Sequence, residues 1–158
     1  MPEFIRPVRA DDVPAVVELV RTVLAEFGLT MGAGADTDAQ LFALPASYEE
    51  HGGHFWVATL ESGAMLGTCG VFPVGEASYE LRKMYLASAA RGLGLGRRLL
   101  DVAIAFARER HALEMVLDTT EQMTRARAFY EANGFVRDDR QIRGARCSRG
   151  YRRDLRTT

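Results

Sequence analysis

Between residues 79 and 107 the hydrophobic period of the chain changes across six residues, Arg91-Gly92-Leu93-Gly94-Leu95-Gly96. Before them, Tyr79-Glu80-Leu81-Arg82-Lys83-Met84-Tyr85-Leu86 is rich in the large and aromatic residues that suit a pleated strand. After them, Leu95, Leu99, Val102 and Phe106 recur at helical spacing, and Leu100, Ala103, Ile104 and Ala107 widen the apolar stripe. A strand, a glycine turn and a helix in that order aim free backbone N–H groups and the positive end of a helix dipole at an anion, most often a phosphate. Glycine belongs in such a turn because a Cβ would hold the anion away from the amides.

Two familiar phosphate loops do not fit. A dinucleotide fingerprint needs a third glycine at position 97, where Arg97 stands, and no glycine is followed by Lys and then Ser or Thr as a P-loop requires. What is left is Arg-x-x-Gly-x-Gly from Arg91 to Gly96, which by itself is equally a tight strand-to-helix connection.

A second block separates the alternatives. Ala126-Arg127-Ala128-Phe129-Tyr130-Glu131-Ala132-Asn133-Gly134-Phe135 reads as a short helix stopped by Asn-Gly and followed by a strand. With these two motifs in this order, the sequence resembles the GCN5-related N-acetyltransferase superfamily of acetyl-CoA-dependent enzymes. The resemblance runs from about residue 78 to 137 and takes in the strand from Glu80, the Arg91–Gly96 loop, its helix, a strand at Leu113–Asp118 and the Phe129-Tyr130-Glu131 block. The first half of the chain carries only the general layout.

The whole chain reads as one domain, residues 1–158, with 47% hydrophobic residues, enough for a single core. Phe4–Arg9 is a first strand, with Pro7 at an edge or bulge. Asp11 or Asp12 caps a helix through about Phe27, and Gly28 ends it. Gly32, Gly34, Asp36 and Asp38 look like loop, and a helical fragment covers Ala39–Leu44. Phe55–Leu60 and Met65–Val74 form a hairpin leading into the strand that bears Glu80, and Phe135–Gln141 pairs with Ser148–Leu155 at the end. The fold class expected is mixed α/β: a mostly antiparallel sheet of six or seven strands flanked by about four helices. The resemblance further implies that the strands at 80–86 and 113–118 are parallel neighbours, splayed so that pantetheine slides between them.

Composition excludes other classes. No apolar run approaches a membrane span and nothing resembles a signal peptide, which points to a cytoplasmic protein. Cys69 and Cys147 are too few for a disulfide framework, and His51 and His54 lack further ligands at metal spacing, so no metal is expected. Residues 137–158 hold eight Arg against three Asp, while the net charge is −1. Arg137, Arg140, Arg143, Arg146, Arg149 and Arg152 recur every three residues, a period that reads as solvated side chains around a terminal hairpin, with help to cofactor phosphates as the lesser alternative. With only Tyr151 interleaved, nucleic acid is not an expected partner. Lys83, the sole lysine, reads as an effect of base composition.

The resemblance assigns the chemistry. Acetyl-CoA would be the co-substrate. The amides of Arg91, Gly92, Leu93, Gly94, Leu95 and Gly96 would cradle its pyrophosphate with Arg97 nearby, and the main chain at Met84, Tyr85 and Leu86 would pair with pantetheine. An alkyl amine with a pKa near 10.4 is almost wholly protonated at pH 7, which costs about 4–5 kcal/mol in available nucleophile, so a carboxylate base is wanted. Glu80 matches the glutamate base of histone-type members, with Glu121 and Asp118 as alternatives. Tyr130 stands where the family places the general acid toward the CoA thiolate, its ordinary alternative being a core aromatic beside Phe129. Where many relatives have Asn, this chain has Met123, so Thr124 or Thr120 would have to supply that cofactor contact. Residues 28–54 would form the acceptor wall. They hold Asp36, Asp38, Glu49 and Glu50 and no Lys or Arg, which would favour a cationic acceptor such as a polyamine, an aminoglycoside or a basic peptide, unless the acids are simply solvated; the acceptor class, small-molecule or peptide amine, stays open. The two readings left open are an N-acetyltransferase acting by direct attack in a ternary complex, and a CoA-binding module that has lost catalysis. A homodimer would be in keeping with the family.

Overall fold

The computed structural model of the chain describes residues 3–32 and 36–156. Gly34, and the side chain of Asp36, lie outside the described residues. Seven strands form one sheet: β1 (Glu3–Pro7), β2 (His54–Leu60), β3 (Met65–Pro73), β4 (Ser78–Leu86), β5 (Glu114–Thr119), β6 (Val136–Arg137) and β7 (Arg149–Asp154). Their spatial order is β1-β2-β3-β4-β5-β7-β6, and every pair is antiparallel except β4 with β5. The mixed α/β expectation and the parallel neighbours at its centre are both observed.

Period-two patterning gives the sheet two apolar faces. On β2, Trp56 and Ala58 join one buried cluster while Phe55 and Val57 join the other. The first cluster packs α4 (Leu95–Glu109) through Leu95, Leu99, Leu100, Ala103, Ile104 and Ala107, the stripe read from the sequence. The second packs α1 (Val13–Glu26) through Val16, Val17, Val20 and Leu24, together with Leu41, Leu44 and Tyr48. Among the described residues no helix is long and apolar enough to cross a membrane.

Three local expectations change. The fragment at 39–44 is a chain of short turns, α2 (Asp36–Ala39), a 3-10 turn at Gln40–Ala43 and α3 (Ala46–Glu49), so the described helices number five with α5 (Thr124–Ala132). Asp12 stands at the head of α1 but makes no cap bond to it; its carboxylate accepts from Arg6 at 2.7 and 2.8 Å and from the Arg9 amide at 2.7 Å. The terminal hairpin is reduced to two residue pairs, Val136–Arg152 and Arg137–Tyr151. Asp138 diverts the chain by capping a 3-10 turn, and the following loop is held at the end of β5 because the Asp118 carboxylate accepts the amides of Arg143 and Gly144 at 2.6 and 2.7 Å.

The feature that positions a site is the parting of β4 from β5. The two strands pair only at Ser78–Glu114, Tyr79–Met115 and Glu80–Val116. Beyond Glu80, β4 stays with β3 as far as Leu86, while β5 stays with β7 through Thr119. A bulge bends β4 away: the register with β3 slips between Thr68 and Gly70, and Lys83 takes a left-handed φ of 52°. That conformation costs a non-glycine residue roughly 1–2 kcal/mol. It is held by Thr68, whose buried hydroxyl donates to the Lys83 carbonyl at 2.7 Å, and by the Lys83 ammonium, which donates to Asp38.

Candidate active site

The parted strands open a cavity of about 620 Å³. β4 lines it from Glu80 to Leu86, the end of β5 and the residue after it from Leu117 to Thr120, and Met123 with Arg125, Ala126, Phe129 and Tyr130 of α5 lines it further on. The glycine turn with Arg91, Gly92, Gly94, Gly96 and Arg97 lies at one end, and the loop residues Arg143, Gly144, Arg146 and Cys147 complete the wall.

The turn has the geometry an anion needs. Gly92 and Gly94 have φ of 79° and 81°, and a Cβ on either would meet no atom within 4 Å, so backbone conformation and open space, not crowding, call for glycine here. Gly94 heads the fifteen-residue helix α4 and no side chain caps it, leaving first-turn amides free of side-chain partners. Gly96 differs: a Cβ there would lie 3.5 Å from Leu86 and 3.6 Å from Phe129, in ordinary packing contact. Leu93 is 68% exposed and Leu95 is in the core, and neither lines the cavity. Arg91 bends back to donate to the Leu86 carbonyl at 3.0 and 3.3 Å and pairs with Glu26 at 2.7 Å; Arg97 pairs with Asp101 at 3.1 Å.

Glu80 is 3% exposed, and its two oxygens accept from Arg82 at 2.5 Å and Arg143 at 3.3 Å. Arg82 is itself fixed, stacked 4.1 Å from the Phe72 ring and donating to the Gln40 side chain at 3.0 Å. Of the alternative carboxylates, Asp118 lines the cavity with one oxygen already taken by the two loop amides, and Glu121 lies outside the lining, paired with Arg149 at 2.9 Å. Tyr130 is buried among Phe129, Phe135 and Tyr151, and burial raises its phenol well above the usual tyrosine range, so the ring is neutral at pH 7. Both the core role and an approach to the cavity are therefore present in one ring. Burial likewise pushes Tyr85 up to about 12 and Cys147 up to about 12, the latter with Asp118 adding to the effect.

Met123 is buried and lines the cavity. Of the two threonines weighed as its polar substitute, Thr124 is exposed and outside the lining, whereas Thr120 is 4% exposed, lines the cavity, and has a hydroxyl with no hydrogen-bond partner among the described residues.

Among the described residues no acidic acceptor wall forms from Asp38, Glu49 and Glu50. Asp38 is 1% exposed and turned inward, where it accepts from Lys83, from Arg146 at 2.7 and 3.0 Å, and from the Gly32 amide at 2.7 Å. Burial alone would raise its pKa, but the Arg146, Gly32 and Lys83 donors together hold it well below the usual carboxylate range. Burial acts the other way on Lys83 and lowers its ammonium, against the pull of Asp38. Glu49 faces His54 at 3.6 Å, and of the described residues in 28–54 only Thr37 reaches the cavity lining. The period-three arginines are not simply solvated either: Arg137, Arg140, Arg143, Arg146, Arg149 and Arg152 each pair with an acid, and two of them face the cavity. The signals missed were the sole lysine inside a strand and the regular arginine spacing.

Set against known proteins, residues 21–135 match the family model of the acetyltransferase (GNAT) family. The chain is 37% identical over 138 residues to the uncharacterized N-acetyltransferase YjgM of Escherichia coli K12, covering 85% of this chain and 82% of that protein. Its fold superimposes with a TM-score of 0.91 on a GNAT-family acetyltransferase from Staphylococcus aureus Mu50, at 24% identity over 98% of this chain and all of that one. The paia N-acetyltransferase of Thermoplasma acidophilum, whose structure was solved in complex with coenzyme A, superimposes at 0.77 with 17% identity over 98% and 99% of the two chains. A seven-stranded sheet parted beside a glycine turn, and a family match over most of the length, give one conclusion: the chain belongs to the GNAT family of acetyltransferases.

Proposed function

We propose that the protein transfers the acetyl group of acetyl-CoA to a primary amine by direct attack in a ternary complex. The observation that carries this reading is the cavity between β4 and β5 with the Gly92–Gly94 turn at its end. Acetyl-CoA lies with its pyrophosphate on the amides of residues 91–96 and its pantetheine along Met84, Tyr85 and Leu86, where β4 has lost β5 as a partner. The Leu86 carbonyl already accepts from Arg91, so Met84 carries the larger part of that strand-like pairing. Thr120, with its unpartnered hydroxyl in the lining, takes the contact that Met123 cannot make.

The acceptor amine reaches the thioester from the Glu80 side. Glu80 removes its proton, directly or through water, which meets the roughly 4–5 kcal/mol deficit of free amine at pH 7. The nitrogen lone pair attacks the thioester carbonyl; as the tetrahedral adduct collapses, the nitrogen gives up its second proton to solvent, the C–S bond breaks, and the electron pair leaves on sulfur. Tyr130, a neutral phenol in the cavity lining, gives a proton to that thiolate and is reprotonated from solvent.

The test is a thermal melt with and without acetyl-CoA on the native chain and on Gly94→Glu, followed by turnover on a panel of amines. Saturation at 100 times the dissociation constant adds about 2.7 kcal/mol, roughly 5–10 °C for a chain of this size. A rise that disappears in Gly94→Glu, with turnover of an amine, is the expected result; no shift at millimolar acetyl-CoA overturns it.

A further inference from the structure

The charges that line the cavity are unequal. Seven cations, Arg82, Lys83, Arg91, Arg97, Arg125, Arg143 and Arg146, face two acids, Glu80 and Asp118. Arg91, Arg97 and Arg125 sit on the glycine turn and the first turns of α4 and α5, where phosphates of the cofactor are expected. The other four stand at the opposite end, on β4 and the loop before β7.

Three of those four are committed. Lys83 and Arg146 close on the buried Asp38, and their side chains are 5% and 12% exposed. Arg82 is held by Glu80, Gln40 and the Phe72 ring. Arg143 is different. Its side chain is 42% exposed, and its side-chain hydrogen bonds among the described residues all leave through Nη1: Glu80 at 3.3 Å, the Gln141 carbonyl at 3.2 Å and the Gln141 side chain at 3.4 Å. That leaves the Nε–Nη2 edge, the planar fork that receives a carboxylate with two parallel bonds. The loop carrying it is pinned by Asp118, which takes the amides of Arg143 and Gly144. Asp118 thus bonds the main chain of this loop and is not the ion-pair partner of the guanidinium.

We propose that the acceptor is an amine carrying a carboxylate close to its nitrogen, an amino-acid-like substrate, and that Arg143 binds the carboxylate. Closeness follows from the Arg143–Glu80 contact: an anion on the Nε–Nη2 edge lies within one small molecule's reach of the proposed base. Because Glu80 is held through Nη1 and the anion would take the other edge, Arg143 can bridge the acceptor's carboxylate and the base at once. A cationic acceptor gains no such contact and meets the guanidinium as a like charge. This inference rests on the acetyltransferase reading and names the acceptor class for the same site.

The experiment compares kcat/KM for matched pairs, L-methionine with 3-(methylthio)propylamine and L-phenylalanine with phenethylamine, and for spermidine, on the native chain and on Arg143→Gln and Arg143→Lys. The native chain is expected to favour the acids by about ten-fold or more, the scale of a charge-assisted hydrogen-bond pair. Arg143→Gln should raise KM for the acids by a similar factor with less than about two-fold change in KM for acetyl-CoA, and Arg143→Lys should recover part of it. Equal use of acid and amine, preference for spermidine, turnover of none of the acids, or an acid preference untouched in Arg143→Gln each overturn the inference. Melts with acetyl-CoA on the same proteins keep the two readings apart: loss of the cofactor shift in the native chain defeats the acetyltransferase reading itself, whereas a retained shift with equal use of the paired amines defeats only the acceptor assignment.

Discussion

Replacing Asp38 by Asn changes almost no volume and removes one negative charge from beneath the acceptor end. Asp38 answers two cations whose side chains are 5% and 12% exposed, Lys83 and Arg146, and also accepts the Gly32 amide. The asparagine keeps one acceptor oxygen and turns an N–H₂ donor toward groups that are themselves donors. Breaking a buried pair by removing one partner costs about 3–5 kcal/mol, because the charge left behind stays out of water without compensation. Total stability of a domain is about 5–15 kcal/mol, so Asp38→Asn should remain folded but lose roughly 6–20 °C in Tm at 2–4 °C per kcal/mol. Urea unfolding at pH 7 measures the loss, with an unchanged slope as evidence that the native surface is the same. The pH dependence is fixed in sign. The folded pKa of Asp38 lies below its ordinary 3.8, so its contribution is complete above about pH 4 and drains away as pH falls through the folded value. The gap between the native chain and the variant should therefore narrow on acidification below pH 4. A loss under about 1 kcal/mol at pH 7, or a gap that widens in acid, would refute the buried-cation argument.

Gly94→Ala and Gly96→Ala should separate. The first forces a left-handed residue and costs about 1–2 kcal/mol in denaturant titrations despite open space around its Cβ, while the second meets ordinary contacts of 3.5–3.6 Å inside a helix and should be neutral or stabilising by up to about 1 kcal/mol. Thr120→Val should raise the Tm of the free protein, since an unpartnered buried hydroxyl costs about 1–3 kcal/mol, and should weaken acetyl-CoA binding in a calorimetric titration; a lower Tm with unchanged affinity would remove Thr120 from the cofactor site.

What the sequence made legible was whatever depends on neighbours along the chain. The strand at 78–86, the glycine turn, the stripe of α4 and the Asn133–Gly134 stop are local patterns, and each stands as read; Gly134 indeed has a φ of 89°. The centre of the sheet followed because the motifs occur in a recognisable order. The acceptor end was not legible, because its charges come from residues as distant as Asp38, Lys83 and Arg146, and only tertiary contact decides whether an acid is a solvated surface group or the buried partner of two cations. The acidic wall failed for that reason: composition counts Asp38 among the acids of residues 28–54 without showing that it points inward. Of the two terminal strands the last stands, at Arg149–Asp154, and the one expected at Phe135–Gln141 is cut to Val136–Arg137, since the reach of Asp118 for two loop amides competes with continued pairing of β6.

The places where local rules are broken fall on one cavity. Lys83 takes a left-handed backbone that its residue type disfavours, Thr120 buries a hydroxyl without a partner among the described residues, and Glu80 buries a carboxylate at 3% exposure between two guanidiniums. None of the three is needed to close the hydrophobic clusters on either face of the sheet, which are built from aliphatic and aromatic residues. Folding alone would favour a straighter β4, an apolar residue at 120 and a neutral residue at 80. On the proposed function each violation would have a use: the bulge at Lys83 parts the strands, the Thr120 hydroxyl would gain a partner from the cofactor, and Glu80 would receive the proton of an incoming amine. The strain is local and shared out over β4 and β5, while the helices that pack the sheet carry the stability that offsets it.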